Sequence, residues 1–88
     1  MMYKLKLYVM GTSPKSKNLV RHIEDFLEKR LSDQAQLEVI DVFQNPETAE
    51  ADGVFATPTI VKICPSPVKK IVGNLTDMEK VFIVMEIK

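Results

Sequence analysis

One cysteine among 88 residues, Cys64, excludes an internal disulfide and a two-thiol redox site. One histidine, His22, excludes a metal set built on two imidazoles, and no metal site is expected. Twelve basic side chains balance twelve acidic ones, so no overall field draws the chain to nucleic acid or to an anionic membrane. No apolar run approaches the ~20 residues that span a bilayer. Lys4 and Lys6 interrupt the N-terminal apolar stretch, which therefore does not read as a signal sequence. No P-loop, Gly-rich phosphate loop or Ser-His-Asp set is present. These absences leave one cytoplasmic domain over residues 1–88, with no catalytic group and no cofactor expected.

What is present is strong local patterning. Tyr3 to Met10 alternates, with Tyr3, Leu5, Leu7 and Val9 on one side and Lys4 and Lys6 on the other, as in a half-buried strand. Ser13 then caps, and Pro14 opens, an amphipathic helix of about 16 residues carrying Leu19, Val20, Ile23, Phe26, Leu27 and Leu31. Leu37 to Val42 reads as a second strand, parallel to the first across that helix. Asn45-Pro46-Glu47 repeats the cap-and-proline signal for a short helix that Gly53 ends. Ile60 to Ile63 and Val68 to Val72 read as two short strands. Thr76-Asp77-Met78-Glu79 fits a capping box for a last helix. The run that follows, residues 81–87, is mostly apolar and β-branched and suits a strand as well as a helix; the cap decides for helix. The fold class is α/β with the thioredoxin-like order β-α-β-α-β-β-α.

The stretch "ATPTIVKICPSPVKK" carries Pro58, Pro65 and Pro67 within ten positions, although proline cannot donate to a sheet ladder. In a thioredoxin-like arrangement Thr57-Pro58 stands where a cis peptide bond begins the third strand. The loop where a thioredoxin-type enzyme needs its thiolate reads "GTSPKSKN" and has none. Cys64, beside Pro65, reads as a buried inert thiol. His22 borders the apolar stripe as a surface group. Asp41, at the end of the second strand, reads as a capping or solvated carboxylate before a general base. Lys69 and Lys70 read as a solvated strand edge before a contact for an acidic partner. The second strand, with Leu37, Val39 and Asp41, falls at a sheet edge and can accept a strand from another protein.

The stretches "KLYVMGTSPKS" and "LEVIDVFQNPETAEADGVFATPTIVKICPSPVKKIVGNLTDMEKV" resemble the KaiB family of bacterial circadian-clock proteins. "VIDV", "ATPT" and "PSPVKKIVG" are the most specific parts, and the resemblance covers nearly the whole chain. It implies a non-enzymatic regulator that binds a KaiC-type ATPase. KaiA or a clock-linked histidine kinase would be further partners. It also implies a metamorphic protein. One state is thioredoxin-like and monomeric; the alternative KaiB ground-state fold, often a homo-tetramer, rearranges the C-terminal half. Pro58, Pro65, Pro67 and Gly73 match the family's switching block and hinge. Many relatives from full clocks have a basic residue where this chain has Asn18 and Gly53. The alternative is a thioredoxin-like interaction module, or a redox-inactive stress-adaptation protein, with another partner.

Overall fold

The computed structural model describes residues 2–87. Its elements are β1 (Tyr3–Val9), α1 (Pro14–Leu31), a 3-10 turn (Ser32–Gln34), β2 (Ala35–Asp41), α2 (Pro46–Ala51), β3 (Thr59–Cys64), β4 (Lys69–Val72) and α3 (Met78–Val84). They form one four-stranded sheet in the order β2-β1-β3-β4. β1 runs parallel to β2, with Leu7 beside Val39, and antiparallel to β3, with Leu7 beside Ile60. The element order and the edge position of β2 are those expected. α1 runs two residues longer than expected, at 18. β2 begins two residues earlier and ends one earlier, because pairing starts as soon as Ala35 comes alongside Tyr3.

Two separate cores hold the sheet. On one face, Tyr3, Leu5, Leu7 and Val9 of β1 pack with Ile23, Leu27 and Leu31 of α1 and with Met78, Val81 and Phe82 of α3. On the other face, Tyr8, Ile40 and Val61 pack only with Ala49 of α2 and Val54 beyond it. The first core is therefore thick and the second thin. α1 and α3 are joined at their surface as well. The Phe26 and Phe82 rings meet edge to face, 5.0 Å between centroids, and the Arg30 guanidinium lies 5.3 Å from each. Arg30 also pairs with Glu79 at 2.6 Å.

The ambiguous 81–87 run is helical up to Val84. Met78, Val81, Phe82 and Met85 are spaced at i, i+3, i+4 and i+7 and are all buried, while Ile83 is 77% exposed. Each buried side chain is worth roughly 1.5–3 kcal/mol. Strand preference among such residues spans only about 1 kcal/mol, so the burial available to a helix wins. The expected capping box does not form. The N-cap is Asp77, whose carboxylate accepts from the Lys80 N–H at 3.2 Å. Thr76 instead donates its hydroxyl and its N–H to the Asn74 side-chain oxygen, and Glu79 is drawn to Arg30. Asn45 holds the N-cap position of α2 but makes no side-chain cap bond, because its amide donates to the Asp41 carbonyl.

α2 and α3 end in the same motif. Past α2, Val54 N–H bonds the Ala49 carbonyl and Gly53 N–H bonds the Glu50 carbonyl, with Gly53 at φ +71°. Past α3, Ile87 N–H bonds the Phe82 carbonyl and Glu86 N–H bonds the Ile83 carbonyl, with Glu86 at φ +59°. A left-handed residue other than glycine costs on the order of 1 kcal/mol. The exposed Lys69–Glu86 pair, 3.3 Å apart, returns little of that. Glu86→Gly should therefore raise the thermal midpoint, by about 2–6 °C for ~0.5–1 kcal/mol in a domain of this size. Differential scanning calorimetry of the two proteins checks this.

Candidate functional site

The residues singled out in the sequence fall in three places. Leu37, Val39 and Asp41 lie on β2, whose outer edge has no strand beside it among the described residues. Leu37 packs partly against the α1 side of the sheet, and Val39 is 41% exposed on that same face. Asp41 is a structural clasp. One carboxylate oxygen accepts the Gly11 N–H at 3.1 Å and the Phe43 N–H at 2.9 Å, joining the turn after β1 to the end of β2. The capping reading of Asp41 is thus the one the structure bears out.

Pro65 and Pro67 lie in the turn between β3 and β4, and Pro58 lies just before β3; all three follow cis peptide bonds. The Pro58 carbonyl accepts the Gly73 N–H at 3.0 Å, so the segments flanking β3 and β4 meet there. Gly73 has φ +106° with no atom near a Cβ position, so only its backbone freedom requires glycine. Lys69 and Lys70 do not form one basic patch. They project to opposite faces of β4: Lys69 pairs with Glu86, and Lys70 donates to the Gly53 carbonyl at 2.9 Å.

Cys64 is exposed, contrary to the buried thiol expected, because β3 has left the core by its last residue. It pairs with Lys4 at the start of β1, at the opposite end of the sheet from the α1 N-terminus. At that N-terminus, Ser13 Oγ accepts from the Ser16 N–H at 3.2 Å. The position a redox thiolate would need is held by a capping serine. Among the described residues no group of His, Cys, Asp and Glu could hold a metal ion. No helix there is long and apolar enough to cross a membrane.

Between the turn after β1, the start of α1, Thr57-Pro58 and residues 73–76 lies an open groove of about 1040 Å³. His22 is exposed on α1, as expected, and forms part of the groove wall, donating from Nε2 to the Thr76 carbonyl at 2.8 Å. Sequence reasoning did not find this groove, because its sides come from four separated segments.

With this geometry in view, the similarities to known proteins are specific. Residues 6–87 match the model of the KaiB domain. The chain is 46% identical over 85 residues to the circadian clock oscillator protein KaiB1 of Synechocystis, covering 97% of this chain and 81% of that one. The chain belongs to the KaiB family. Among solved structures, the N-terminal domain of Synechococcus elongatus SasA superposes with a TM-score of 0.79 at 25% identity, over 100% of this chain and 87% of that one. The Drosophila thioredoxin Deadhead superposes at 0.74 with 20% identity, over 97% and 79% of the two chains, which shows a shared fold. This KaiB-family chain thus has the thioredoxin-like architecture.

The thin face carries a second cluster that the strand alternation concealed. Tyr8, out of step with the apolar set of β1, is fully buried and its hydroxyl donates to the Asp52 carboxylate. The Lys6 ammonium reaches the same oxygen at 3.4 Å. Burial pushes the Tyr8 phenol above its ordinary range, and the Asp52 carboxylate pushes it the same way. The Tyr8 hydrogen bond lowers the Asp52 value against the opposing effect of desolvation, and Lys6 adds to the lowering. With the Asp52 value lowered, its contribution is present above the ordinary carboxylate range and is lost as pH falls through the folded-state value. With the Tyr8 value raised, its contribution is present below the ordinary phenol range and is lost as pH rises through the folded-state value. Tyr8→Phe should therefore cost about 0.5–1.5 kcal/mol near neutral pH. The difference from the parent should shrink as pH drops below about 4. Urea titrations of both proteins across pH measure it.

Proposed function

We propose that this protein is a non-enzymatic clock regulator that binds a KaiC-type ATPase. The observation carrying this reading is the KaiB family match over residues 6–87, joined to a fold shared with the SasA N-terminal domain. The docking surface is the open edge of β2. Gln36, Glu38 and Val39 are exposed there, with Leu37 half-buried beneath. An edge strand offers a row of backbone donors and acceptors to an incoming strand, and alternate side chains supply selectivity. KaiA and a clock-linked histidine kinase are competing or additional partners in the same reading. Lys69 and Lys70, at the other edge, are secondary contacts, where an acidic partner would compete with Glu86 and the Gly53 carbonyl.

The fold switch belongs to this proposal as well. The part of the chain that would rearrange holds Pro58, Pro65, Pro67 and Gly73, and the thin core contributes only Ala49 and Val54 from the α2 side. Two packings within a few kcal/mol of each other would suffice. The thioredoxin-like state is the monomer and the alternative state the homo-tetramer, so light scattering after size-exclusion chromatography reads the balance directly.

Pull-down by a KaiC homologue, with and without ATP, should retain the protein. Retention in no nucleotide state would overturn the reading. Val39→Lys, which places a charge on the docking edge, should weaken retention at least about tenfold, or ~1.4 kcal/mol. It should shift the thermal midpoint by less than about 4 °C, since Val39 is already 41% exposed.

A further inference from the structure

We propose that the groove beside Thr57-Pro58 holds an extended, carboxylate-bearing segment of a partner protein. The proposal does not rest on the ATPase reading, whose docking surface is the β2 edge.

Three observations converge on this occupant. The first is an unused stretch of backbone. Thr57 is half-buried on the groove wall, and its N–H and carbonyl make no backbone hydrogen bond among the described residues. Its neighbours are engaged: the Ala56 carbonyl accepts from the Thr59 hydroxyl at 2.7 Å, and the Pro58 carbonyl accepts from Gly73. A donor and an acceptor on one residue are what an extended peptide pairs with, and leaving them both unused in a covered site is costly.

The second is the floor. Val9, Leu19, Pro58 and Leu75 line the groove, so alternate side chains of an extended segment would find apolar contact on one side. The third is charge. The titratable side chains lining the groove are Lys15 and His22, and no carboxylate is among them. The first turn of α1 carries no acid to offset the positive end of that helix. Pro14 has no N–H, the Ser16 N–H goes to Ser13 Oγ and the Lys17 N–H goes to the Ser13 carbonyl. An acidic side chain arriving there meets only favourable charge. A nucleic acid fits less well, because one lysine over an apolar floor does not track a phosphate backbone, and Thr57 offers a strand partner that no nucleotide can use.

The test is an amide ¹H–¹⁵N NMR titration of the full chain with an acetylated, amidated hexapeptide of alternating Glu and Val. The expected result is saturable shifts at Met10, Lys15, Asn18, Thr57, Asn74 and Leu75, weakened by added salt. Lys15→Glu should reduce the affinity at least about fivefold while leaving the spectrum otherwise that of the folded protein. The same peptide N-methylated along its backbone should bind more weakly, since it loses the pairing at Thr57. The proposal is overturned by any of four results: no shift at Thr57 at millimolar peptide, shifts confined to the β2 edge, equal binding of a Lys-Val hexapeptide, or a thymidine octamer binding there in preference.

Discussion

Burial of β1 from both faces is the constraint from which the other features follow. β1 lies between β2 and β3, so both its ladders are occupied, and its side chains must find cover above and below the sheet. Above, Tyr3, Leu5, Leu7 and Val9 find two helices that also grip each other through Phe26, Phe82 and Arg30. Below, the single large side chain is Tyr8. A buried phenol needs a hydrogen-bond partner, and Asp52 at the end of α2 supplies it. A six-residue helix cannot hold itself together in water. α2 is held to the sheet by Ala49 and Val54 in the small core and by Tyr8 and Lys6, while Lys70 holds the Gly53 carbonyl that follows.

The asymmetry between the two faces bears on function. A thick core fixes β1, α1 and α3, whereas the thin core leaves the α2 side of the sheet lightly covered. Binding surfaces lie where this architecture leaves backbone or apolar side chains unengaged, at the outer edge of β2 and at Thr57. A catalytic thiol has no place in this plan. The start of α1 is closed by Ser13, and Cys64 stands at the far end of the sheet. The KaiB family membership and the shared fold with a SasA domain fit a chain that works by presenting surfaces.

Much of this was legible in the residues. The alternation of Tyr3 to Val9, the Ser13-Pro14 start and the Gly53 stop each rest on interactions within a few positions, and each appears where those signals put it. The errors came where a distant partner outbid a local one. Glu79 left the capping box for Arg30, and the Asn45 amide turned to Asp41 instead of capping α2. The basic pair of Lys69 and Lys70 was split by the pleat, which sends neighbouring side chains to opposite faces. Tyr8 was passed over because a single-face strand pattern has no role for a second buried side.

By itself the sequence determined the kind and order of the elements, since periodicity, caps and turn residues act over one or two turns of chain. It also determined the absence of a two-thiol site and of a two-histidine metal set, which composition alone decides. Only the tertiary structure decided that residues 81–85 form a helix and not a strand, because the energy lies in which side chains α1 and the sheet can cover. Only it brought Tyr8 to Asp52 and set Thr57 in a groove walled by four separate segments. Those arrangements depend on contacts between residues tens of positions apart, and no local pattern in the chain records them.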